Sequence, residues 1–480
     1  MIQHDIQTKP QEKDLERLFY LQKANESNVG NTTADQRIVK LKKLREVIMK
    51  RRNDIHIAMQ KDLRKPGLET DITEIKTVVT EINFAIHRLH QWMNRKRVST
   101  PLMLFGTSSY VQFQPKGTVL IISPWNFPVN LSLGPLVGAV AAGNCVILKP
   151  SEYTPHASHL IRQIVEEVFD EQEVAVIEGD ATVSKSLLQF PFNHIFFTGG
   201  TEVGKIIMRA AAEHLSSVTL ELGGKSPVII DESVNMKVAV EKIAWLKFMN
   251  FGQICISPDY VLVQESIKDV FIKELTACIE KFYGASITQR QQSPDLCRMV
   301  SDNHFFRVKQ LTEDAISKGA VVHTGGQYDA ADKYIDPTVL SGVNFSMPVM
   351  REEIFGPVLP VHTFKTKEEA AGYINAGSIP LAMYVFSQRE DFLDYMLHHT
   401  KAGDVCINEC GYHFYNPHLP FGGMNGSGIG KAHGKHFFEE FSNSKGVLRQ
   451  HLGKFSPLKI LFPPYSPRIQ RLFRHVIRWP

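Results

Sequence analysis

The first hundred residues carry apolar side chains at the three- and four-residue spacing of amphipathic helices. One apolar stripe runs from Leu41 to Met59, and a second runs from Ile72 to Ile86. The positions between the apolar ones are rich in Lys and Arg, as expected for helix faces in water. The pattern predicts that residues 1–97 are helical, with one long helix over Asp71–Trp92.

The hydrophobic pattern changes after residue 107. Ser108–Gln114 alternates polar and apolar residues, which predicts a short, half-exposed strand. Thr118–Ser123 is a continuous run rich in β-branched residues, as is typical of a parallel strand buried on both faces. Similar runs at 146–148, 174–177 and 194–197 alternate with helical segments at 156–169 and 203–213. This alternation predicts a doubly wound, nucleotide-binding sheet.

A second α/β unit follows in the later half of the chain. Residues 228–230, 261–263 and 358–361 are expected to be strands, and 267–282 and 304–318 to be helices. Ala285–Asp295 is polar and is expected to be a loop. Pro420–Lys431 is dense in glycine, and we expect it to be an ordered loop close to a functional site.

The longest apolar run, Leu131–Leu148, has two interpretations. A membrane span is one, but Pro135 and Asn144 interrupt the run, and Lys149 follows it directly. We therefore expect a buried helix followed by a buried strand. The residues from Met1 to Asp5 show no basic-then-apolar signal pattern, so no secretion is expected.

Composition narrows the class of protein. A length of 480 residues predicts at least two domains, and 43% apolar with 22% charged residues is ordinary for a globular protein. The net charge of +4 is too small to indicate a nucleic-acid partner. The six cysteines show no disulfide-framework spacing, which favours a reduced, cytoplasmic setting.

Three residues carry candidate chemistry. Cys255 stands in a Gly-containing turn after an apolar helical run, Glu221 precedes Gly-Gly-Lys, and Asn126 lies in Pro-Trp-Asn-Phe-Pro. A thiol, a carboxylate and a carboxamide are the nucleophile, base and oxyanion donor of covalent acyl transfer. The plain alternatives are a structural thiol, a surface carboxylate and a turn former. We apply the structural reading to Cys145, Cys278 and Cys297.

A Gly-rich segment, Thr198–Lys205, follows one predicted strand and precedes a helix. Its glycines would let the backbone approach a pyrophosphate, and the helix would offer free N–H groups. The segment matches neither the six-residue dinucleotide fingerprint nor a Walker A motif. It is therefore either a phosphate-binding turn or an ordinary one.

Together these stretches resemble the aldehyde dehydrogenase superfamily from about Leu41 to Leu448. Ser257–Tyr260 and Gly434–His436 look most like the class 3 branch, which includes fatty-aldehyde dehydrogenases. The motifs that carry the resemblance, in the family's order, are Pro124–Pro128, Leu148–Glu152, Phe197–Gly199, Leu220–Lys225, Gly252–Cys255 and Glu352–Pro357.

The resemblance implies an α/β fold of two doubly wound, Rossmann-like parallel-sheet domains with a bridging β element used in oligomerisation. An NAD(P)-binding domain is expected over 1–222, with helices to 97 and strand 108–114 belonging to the bridge. A catalytic domain is expected over 223–422. Residues 423–455 would return to the bridge, and 456–480 would form a tail. A homodimer is implied.

The resemblance also implies roles for the three chemical residues. Cys255 would attack an aldehyde carbonyl, and Asn126 would hold the oxyanion together with the backbone N–H of Cys255. Glu221 would remove a proton from the water that hydrolyses the resulting thioester. Tyr412, His413 and Phe414 would shape the aldehyde channel.

The cofactor implied is NAD, with NADP possible. Glu152 would accept a hydrogen bond from the ribose 2′-hydroxyl and repel a 2′-phosphate, but class 3 enzymes often take both. Individual residues expected to contact the cofactor have plain alternatives. Lys149 and Glu152 could be a solvated helix start, Trp125 could be a packing residue, and the glycines could form ordinary turns. The residues expected to contact the cofactor are Trp125, Lys149, Glu152, Gly179, Gly199, Gly200, Thr201, Val203, Gly204, Glu353 and Phe355.

Two features stay outside this interpretation. Cys406, Cys410, His413 and His418 have zinc-like spacing, but hydride transfer needs no zinc, so no metal is predicted. The tail from Leu458 to Pro480 mixes arginines with apolar residues. It would either lie on a membrane surface as a basic amphipathic helix or pack on the protein body, and we favour packing.

The sequence thus predicts NAD(P)-dependent oxidation of medium- or long-chain aliphatic, or aromatic, aldehydes to carboxylic acids. The intermediates would be a thiohemiacetal and a thioester on Cys255. A coenzyme A-dependent acylating enzyme is one alternative, but such relatives usually lack the base at Glu221. A catalytically silent dinucleotide-binding protein is another, and the presence of all three catalytic side chains argues against it.

Overall fold

The structure is a computed structural model that describes residues 12–451, 459 and 462–476. Two large, mainly parallel sheets with their helices form most of the described chain, and a small antiparallel sheet joins distant segments. The prediction of an α/β fold with two Rossmann-like parallel sheets is confirmed.

The α-helices of the described residues mostly lie between strands. A π-helical turn, Asp71–Ile75, joins α4 to α5, so the predicted long helix is present with an irregular first turn. In chain order the helices are α1 (Glu12–Gly30), α2 (Ala34–Lys50), α3 (Arg52–Leu63), α4 (Gly67–Thr70), α5 (Lys76–Met93), α6 (Pro128–Ala142), α7 (Pro155–Val168), α8 (Ala181–Leu187), α9 (Thr201–His214), α10 (Met236–Phe248), α11 (Lys268–Tyr283), α12 (Ile287–Gln292), α13 (Asp302–Ser317), α14 (Pro348–Arg351), α15 (Lys367–Asn375), α16 (Glu390–His399), α17 (Gly434–Glu440) and α18 (Pro467–Val476).

The strands are short, and most are buried. In chain order they are β1 (Lys96–Val98), β2 (Thr107–Pro115), β3 (Thr118–Ile122), β4 (Cys145–Lys149), β5 (Val174–Val176), β6 (His194–Thr198), β7 (Ser217–Glu221), β8 (Pro227–Ile230), β9 (Tyr260–Gln264), β10 (Val321–Thr324), β11 (Tyr328–Asp329), β12 (Tyr334–Ile335), β13 (Thr338–Ser341), β14 (Val358–Phe364), β15 (Ala382–Phe386), β16 (Asp404–Ile407), β17 (Gly428–Ile429) and β18 (Ser442–Gln450). β11 and β12 form a separate two-stranded pair.

The first sheet has the strand order β17-β7-β6-β3-β4-β5, and every neighbouring pair except β17 with β7 is parallel. The chain starts at β3, adds β4 and β5 on one side, and then returns to add β6 and β7 on the other. The strand order therefore reverses between β3 and β6. Open parallel sheets bind ligands at this kind of position, beyond the carboxyl ends of the strands.

The second sheet has the order β10-β13-β14-β9-β8-β15-β16 and is parallel except for β10. One prediction nearby was wrong, because helix α12 lies inside the segment expected to be a loop. Ser286 and Gln289 form a reciprocal capping box at its start. Arg290 is fixed by two bonds to Asp336, at 2.8 and 2.6 Å. A cap and a tertiary ion pair therefore stabilise a helix that has little apolar periodicity.

A three-stranded antiparallel sheet, β1-β2-β18, joins residues 96–115 to residues 442–450. Its first strand begins at Lys96, so the helical region predicted over 1–97 ends at Met93. Residues 1–11 of that prediction lie outside the described residues. β18 has a neighbour, β2, on one side. The use of this sheet in a homodimer and the predicted domain limits stay predictions.

The long apolar run Leu131–Leu148 forms most of helix α6 and then strand β4, as predicted. All residues of α6 except Leu131 are buried, and β4 is buried throughout. Among the residues that the structure describes, no helix is long and apolar enough to cross a membrane. The predicted tail includes helix α18, while its last residues, 477–480, lie outside the described part.

The start of helix α6 is capped by a residue from the π-helical turn. Glu74 accepts hydrogen bonds from the backbone N–H of Val129 at 3.1 Å and of Asn130 at 2.9 Å. Its other carboxyl oxygen pairs with Lys65 at 2.8 Å, and neither side chain is exposed. The Lys65 ammonium also lies 4.0 Å from the ring centre of Phe127. Helix α6 begins just after the loop that carries Asn126. By capping the helix, Glu74 therefore also fixes the end of that loop.

We expect Lys65→Met to destabilise the protein strongly, because it leaves the Glu74 carboxylate buried without its counter-ion. Breaking one side of a buried pair costs about 3–5 kcal/mol. Urea unfolding followed by circular dichroism measures the change. The double variant Lys65→Met/Glu74→Gln should recover much of the loss, because glutamine is neutral and its oxygen can still cap α6. Lys50→Met, at an exposed pair with Glu167, is the control. An unchanged urea midpoint for Lys65→Met would contradict this account.

Candidate active site

The turn that carries Cys255 has an unusual backbone. Three consecutive residues after α10 have positive φ: Asn250 at 48°, Phe251 at 59° and Gly252 at 74°. Such values cost about 1–2 kcal/mol at a residue with a bulky side chain. Phe251 is completely buried, which offsets this cost. A Cβ on Gly252 would collide with the carbonyl oxygen of Gly356, so glycine is required there.

Three side-chain amides hold this turn against the loop after β3. Asn250 Nδ2 donates to the carbonyl of Asn126 at 2.9 Å and to that of Gln253 at 3.1 Å. Asn126 Nδ2 donates to the same Gln253 carbonyl at 3.1 Å. Gln253 Nε2 in turn donates to the carbonyls of Asn250 and Arg298, both at 3.0 Å. The structure thus brings Asn126 beside the Cys255 turn, and the amide nitrogen of Asn126 keeps a second N–H.

Cys255 is half-buried, whereas the other five cysteines are buried. Tyr384 fixes the far side of the turn, because its hydroxyl donates to the Ile256 carbonyl at 2.6 Å. Burial raises the pKa of the Cys255 thiol to about 12, and the carboxylates of Glu353 and Glu221 contribute to the rise. The thiol is therefore protonated at neutral pH. Cys145, Cys278 and Cys297 are buried, which fits the structural reading of these three.

Glu221 is the last residue of β7, and 6% of it is exposed. Neither carboxyl oxygen has a hydrogen-bond partner within the described chain. Burial raises the pKa of Glu221 well above its usual value, with Lys431 lowering it and Asp404 and Glu440 raising it further. Because the Glu221 charge also raises the Cys255 pKa, the two side chains share one electrostatic environment.

A second carboxyl, that of Glu353, lies close to this site. A Cβ placed on Gly223 would collide with the Glu353 carboxyl group, so a glycine is needed there. Burial, and then the neighbouring Asp259, raise the pKa of Glu353 to about 8. Arg307 holds the Glu353 backbone, donating to its carbonyl at 3.0 Å. Glu353 therefore lies against Gly223, just after β7, and its charge acts on Cys255.

Two aromatic residues predicted to contact the cofactor meet each other. The rings of Trp125, which follows β3, and Phe355 lie edge to face with centres 5.4 Å apart. His304 contacts the Trp125 ring at 4.8 Å between centres. Phe355 itself has φ of 51°, in the left-handed region that a bulky residue rarely adopts. The contact joins the loop after β3 to the segment before β14.

Other predicted cofactor residues lie at the carboxyl edge of the first sheet. Lys149 ends β4, and its buried ammonium pairs at 2.8 Å with the partly exposed carboxylate of Glu152. Gly179 follows β5 with φ of 145°, and a Cβ there would meet Val183 at 2.5 Å. These residues share an edge because β3, β4 and β5 are parallel neighbours.

The Gly-rich segment forms the N-terminus of helix α9, as predicted. A Cβ on Gly199 would collide with the Phe197 ring, whereas one on Gly200 would meet nothing within 4 Å. Val203 is exposed, and Thr201 Oγ1 donates to the Gly426 carbonyl at 3.1 Å. The open approach at Gly200 and the unpaired first N–H groups of a helix suit a phosphate.

Gly204 has a different local role. A Cβ at this position would lie 2.7 Å from the Leu222 side chain, so the glycine lets helix α9 pack closely on the segment after β7. Close packing of this kind is the usual task of the last glycine in nucleotide-binding turns.

Cys255 is one of the residues that line a small apolar cavity of about 40 Å³. Thr73 and Asn130 supply the uncharged polar groups, and no charged side chain lines it. Of the residues predicted to shape a channel, Phe414 lines the cavity. Tyr412 instead stacks on Trp245 and is 54% exposed. The remaining lining residues are Phe127, Leu131, Leu246, Met249, Ile254, Ile256, Gly411 and Tyr415.

His413 also points elsewhere. Its Nδ1 lies 3.3 Å from the sulfur of Cys406, and the side chain is buried. Among the residues that the structure describes, no group of three or more His, Cys, Asp or Glu side chains is arranged to hold a metal ion.

Several residues that shape the site carry no motif of their own. Asn250 lies five residues before Cys255, and asparagine is enriched at positive φ, but its amide contacts with Asn126 and Gln253 appear only in the folded chain. Glu74 lies in an apparently ordinary helix, and nothing local indicates its capping role. Lys431 stands in the Gly-dense loop, but only the folded chain shows that it approaches Glu221.

Comparison with known proteins gives concordant matches. The model of the family described as "Aldehyde dehydrogenase family" matches residues 7–447. A 4,4'-diaponeurosporen-aldehyde dehydrogenase of Staphylococcus aureus is 41% identical over 95% of this chain and 98% of its own. Aldehyde dehydrogenase family 3 member B3 of Mus musculus is 39% identical over 98% of this chain and 96% of its own.

Solved structures are similar along nearly the whole chain. A substrate-bound state of Staphylococcus aureus AldH has a TM-score of 0.92 and 40% identity, over 96% of this chain and 99% of that one. A betaine aldehyde dehydrogenase of the same species, in complex with NAD+, has a TM-score of 0.84 and 27% identity, over 93% and 89%.

We expect iodoacetamide to label Cys255 before the other cysteines, because it alone is half-buried. The rate should rise about tenfold per pH unit from pH 7 to 10, since the thiolate is the reactive form and the pKa is about 12. Peptide mass spectrometry identifies the labelled residue, and Cys255→Ser is the control. A rate that levels off below pH 8 would contradict the raised pKa.

Proposed function

Because the chain belongs to the aldehyde dehydrogenase family, with relatives in its family 3, we propose a specific reaction for its candidate site. The protein is an NAD(P)-dependent aldehyde dehydrogenase, and the resemblance to this family is confirmed. The proposed reaction oxidises medium- or long-chain aliphatic, or aromatic, aldehydes to carboxylic acids. The observation that carries it is the amide network that places Asn126 against the Cys255 turn, beside an apolar cavity.

The cofactor would bind beyond the carboxyl ends of β3 and β6, where the strand order reverses. The open Gly200 turn and the N-terminus of α9 would receive the pyrophosphate, and Lys149 with Glu152 would receive the adenosine ribose. Glu353 and Phe355 would position the nicotinamide end. When bound, NAD accepts the hydride that leaves the substrate carbon. The carboxylate of Glu152 favours NAD over NADP, because it repels a 2′-phosphate.

In the first step the sulfur of Cys255 bonds to the carbonyl carbon, and the thiol proton leaves. Because the thiol is protonated at rest, a base must take that proton, and we assign this to Glu353, whose charge affects the Cys255 pKa more than that of Glu221. The negative charge passes to the aldehyde oxygen. The second N–H of Asn126 and the backbone N–H of Cys255 would stabilise it, and one such donor contributes about 3 kcal/mol.

In the last step Glu221 takes a proton from water. The water oxygen bonds to the acyl carbon of the thioester, the carbon–sulfur bond breaks, and Cys255 leaves with the electron pair. The carboxylic acid is released. Glu221 suits this role because its oxygens have no hydrogen-bond partner within the described chain and can turn toward water. Its raised pKa makes it a good proton acceptor once it is ionised.

The cavity lining supports an apolar substrate. Its aromatic and aliphatic side chains exclude water along the approach to Cys255, and none of them carries a charge. A charged aldehyde would lose its hydration there without gaining a counter-ion. An acylating, coenzyme A-dependent reaction is the second candidate. The buried Glu221 beside the site favours hydrolysis instead.

We expect Glu221→Gln to form NADH in a single burst and then turn over slowly, because acylation proceeds while hydrolysis lacks its base. The steady-state rate should fall at least about 100-fold. Stopped-flow absorbance with decanal measures both phases.

Cys255→Ser is the control for this experiment. It should form no NADH in either phase but bind NAD normally by calorimetry. Normal steady-state turnover of Glu221→Gln would contradict the role of Glu221 as the base. An active Cys255→Ser variant would contradict the role of Cys255 as the nucleophile. Added coenzyme A should leave the product a free acid.

We also expect decanal and benzaldehyde to be oxidised with much higher kcat/KM than betaine aldehyde, by at least about 100-fold. The reason is the desolvation of a fixed positive charge in an apolar cavity. Initial rates of NADH formation measure the ratio. Leu131→Glu should lower the ratio of kcat/KM between decanal and betaine aldehyde, because it supplies a carboxylate to the cavity. Leu131→Gln is the neutral control and should leave the ratio high. Comparable rates for all three aldehydes in the parent protein would contradict the proposed substrate class.

A further inference from the structure

Lys431, the last residue of the Gly-dense loop, points its ammonium group at the protein backbone. The Lys431 ammonium donates to the carbonyl oxygen of Gly422 in a short hydrogen bond, and to that of Gly403 at 3.5 Å. The side chain is half-buried. Two backbone carbonyls therefore hold the lysine over the segment that carries Gly422.

Glu221 approaches the same glycine. A Cβ built on Gly422 would be 2.9 Å from Glu221 Oε1 and 3.2 Å from Cδ of Lys431. Gly422 has φ of 152° and no side chain, so the carboxyl group and the lysine stem both border the space that a side chain there would fill. β17, from the same loop, pairs with β7 at Glu221, which fixes this arrangement.

The other charged groups that act on Glu221 are negative. Asp404 accepts from the Gly422 N–H at 3.0 Å. Glu440 accepts from the Lys431 N–H at 3.1 Å and from the Thr219 hydroxyl at 2.7 Å. Both raise the Glu221 pKa, as burial does, and Lys431 opposes them. Within the described chain, Lys431 is the cation among the groups that act on Glu221, and the Cys255 thiol faces it as a neutral group.

We propose that Lys431 is a positioning residue for Glu221, whose ammonium keeps enough of the buried carboxyl ionised at neutral pH for it to take a proton from water. The proposal rests on the proposed role of Glu221 as the base. It adds that Lys431 of the Gly-dense loop sets how easily Glu221 ionises. Lys431 is 210 positions after Glu221 in the sequence and is held by main-chain carbonyls.

The physical reason is the cost of a buried anion. A buried carboxylate with no hydrogen-bond donor from the described chain is strongly disfavoured, and two carboxylates nearby disfavour it further. A cation a few ångströms away lowers that cost more than it would in water, because the effective dielectric constant is small. The hydrolytic step needs the ionised form, so its rate at a given pH follows the ionised fraction.

The test compares the pH dependence of turnover in Lys431→Met, Lys431→Arg and the parent protein. Removing the cation raises the Glu221 pKa, so the rising limb of kcat should move to higher pH by one unit or more. At pH 7 kcat should fall about tenfold, and at high pH it should recover, because one pKa unit is a tenfold change in ionised fraction. The NADH burst should keep its amplitude. Lys431→Arg should restore the parent profile.

The matched control is Lys435→Met, four residues along the chain, where the lysine pairs with Glu439 on helix α17. It should leave the profile in place. A purely structural role of Lys431, in tying residue 422 to residue 403, predicts a loss of kcat that is equal at all pH values, and that result would overturn the proposal. Thermal unfolding of Lys431→Met shows whether the fold is kept.

The outcomes separate the two levels of inference. If Glu221→Gln turns over poorly but Lys431→Met has the parent profile, the tuning role is wrong and the base role stands. If Glu221→Gln turns over normally, the base role is wrong and the tuning role fails with it. Both roles are supported if the rising limb of kcat moves to higher pH in Lys431→Met but not in Lys431→Arg, and if Glu221→Gln turns over poorly.

Discussion

The side-chain amide of Asn250 joins the two backbone segments on which the site depends. It donates to the carbonyls of Asn126 and Gln253, and its own residue has the left-handed conformation that starts the Cys255 turn. A turn with three successive positive φ values would relax without such contacts, because each non-glycine member is strained by about 1 kcal/mol or more. Since the same amide that holds the turn also holds Asn126, the Cys255 turn and Asn126 are fixed relative to each other. The helix cap by Glu74 fixes the other end of the Asn126 loop.

Burial sets the chemistry at this turn. Cys255, Glu221 and Glu353 all have pKa values raised first by the loss of water, and Cys255 and Glu353 favour their protonated forms at neutral pH. Each group ionises more easily when a neighbour is neutral or positive. Such coupling suits a reaction in which a thiol loses a proton early and a carboxyl accepts one late. A nearby cation therefore has a large effect on these pKa values. Lys431, which is held beside Gly422, lowers the pKa of Glu221 although it is far from it in the sequence.

Much of the architecture followed from local patterns. Continuous, mainly apolar runs identified β3, β4 and β6, because strands buried on both faces need few polar positions. The break at Asn144 separated α6 from β4, and the Gly-rich turn after β6 was placed correctly at the start of α9. Helix α12 was missed because a capping box and the Arg290–Asp336 pair, rather than an apolar stripe, stabilise it. His413 was expected at a channel but binds Cys406, because the fold around residues 406–414 turns its ring away.

The sequence by itself determined the family and the parallel sheets, and it singled out Cys255, Glu221 and Asn126 as candidates, because each of these depends on short motifs whose residues are close together in the chain. Only the tertiary structure decided how those side chains are held and charged. The amides of Asn250 and Gln253, the pair of Lys65 with Glu74, and the approach of Lys431 to Glu221 join positions that no local pattern connects. The physical reason is that pKa values and turn strain depend on burial and on charges brought near by folding, and neither is encoded in the spacing of residues along the chain.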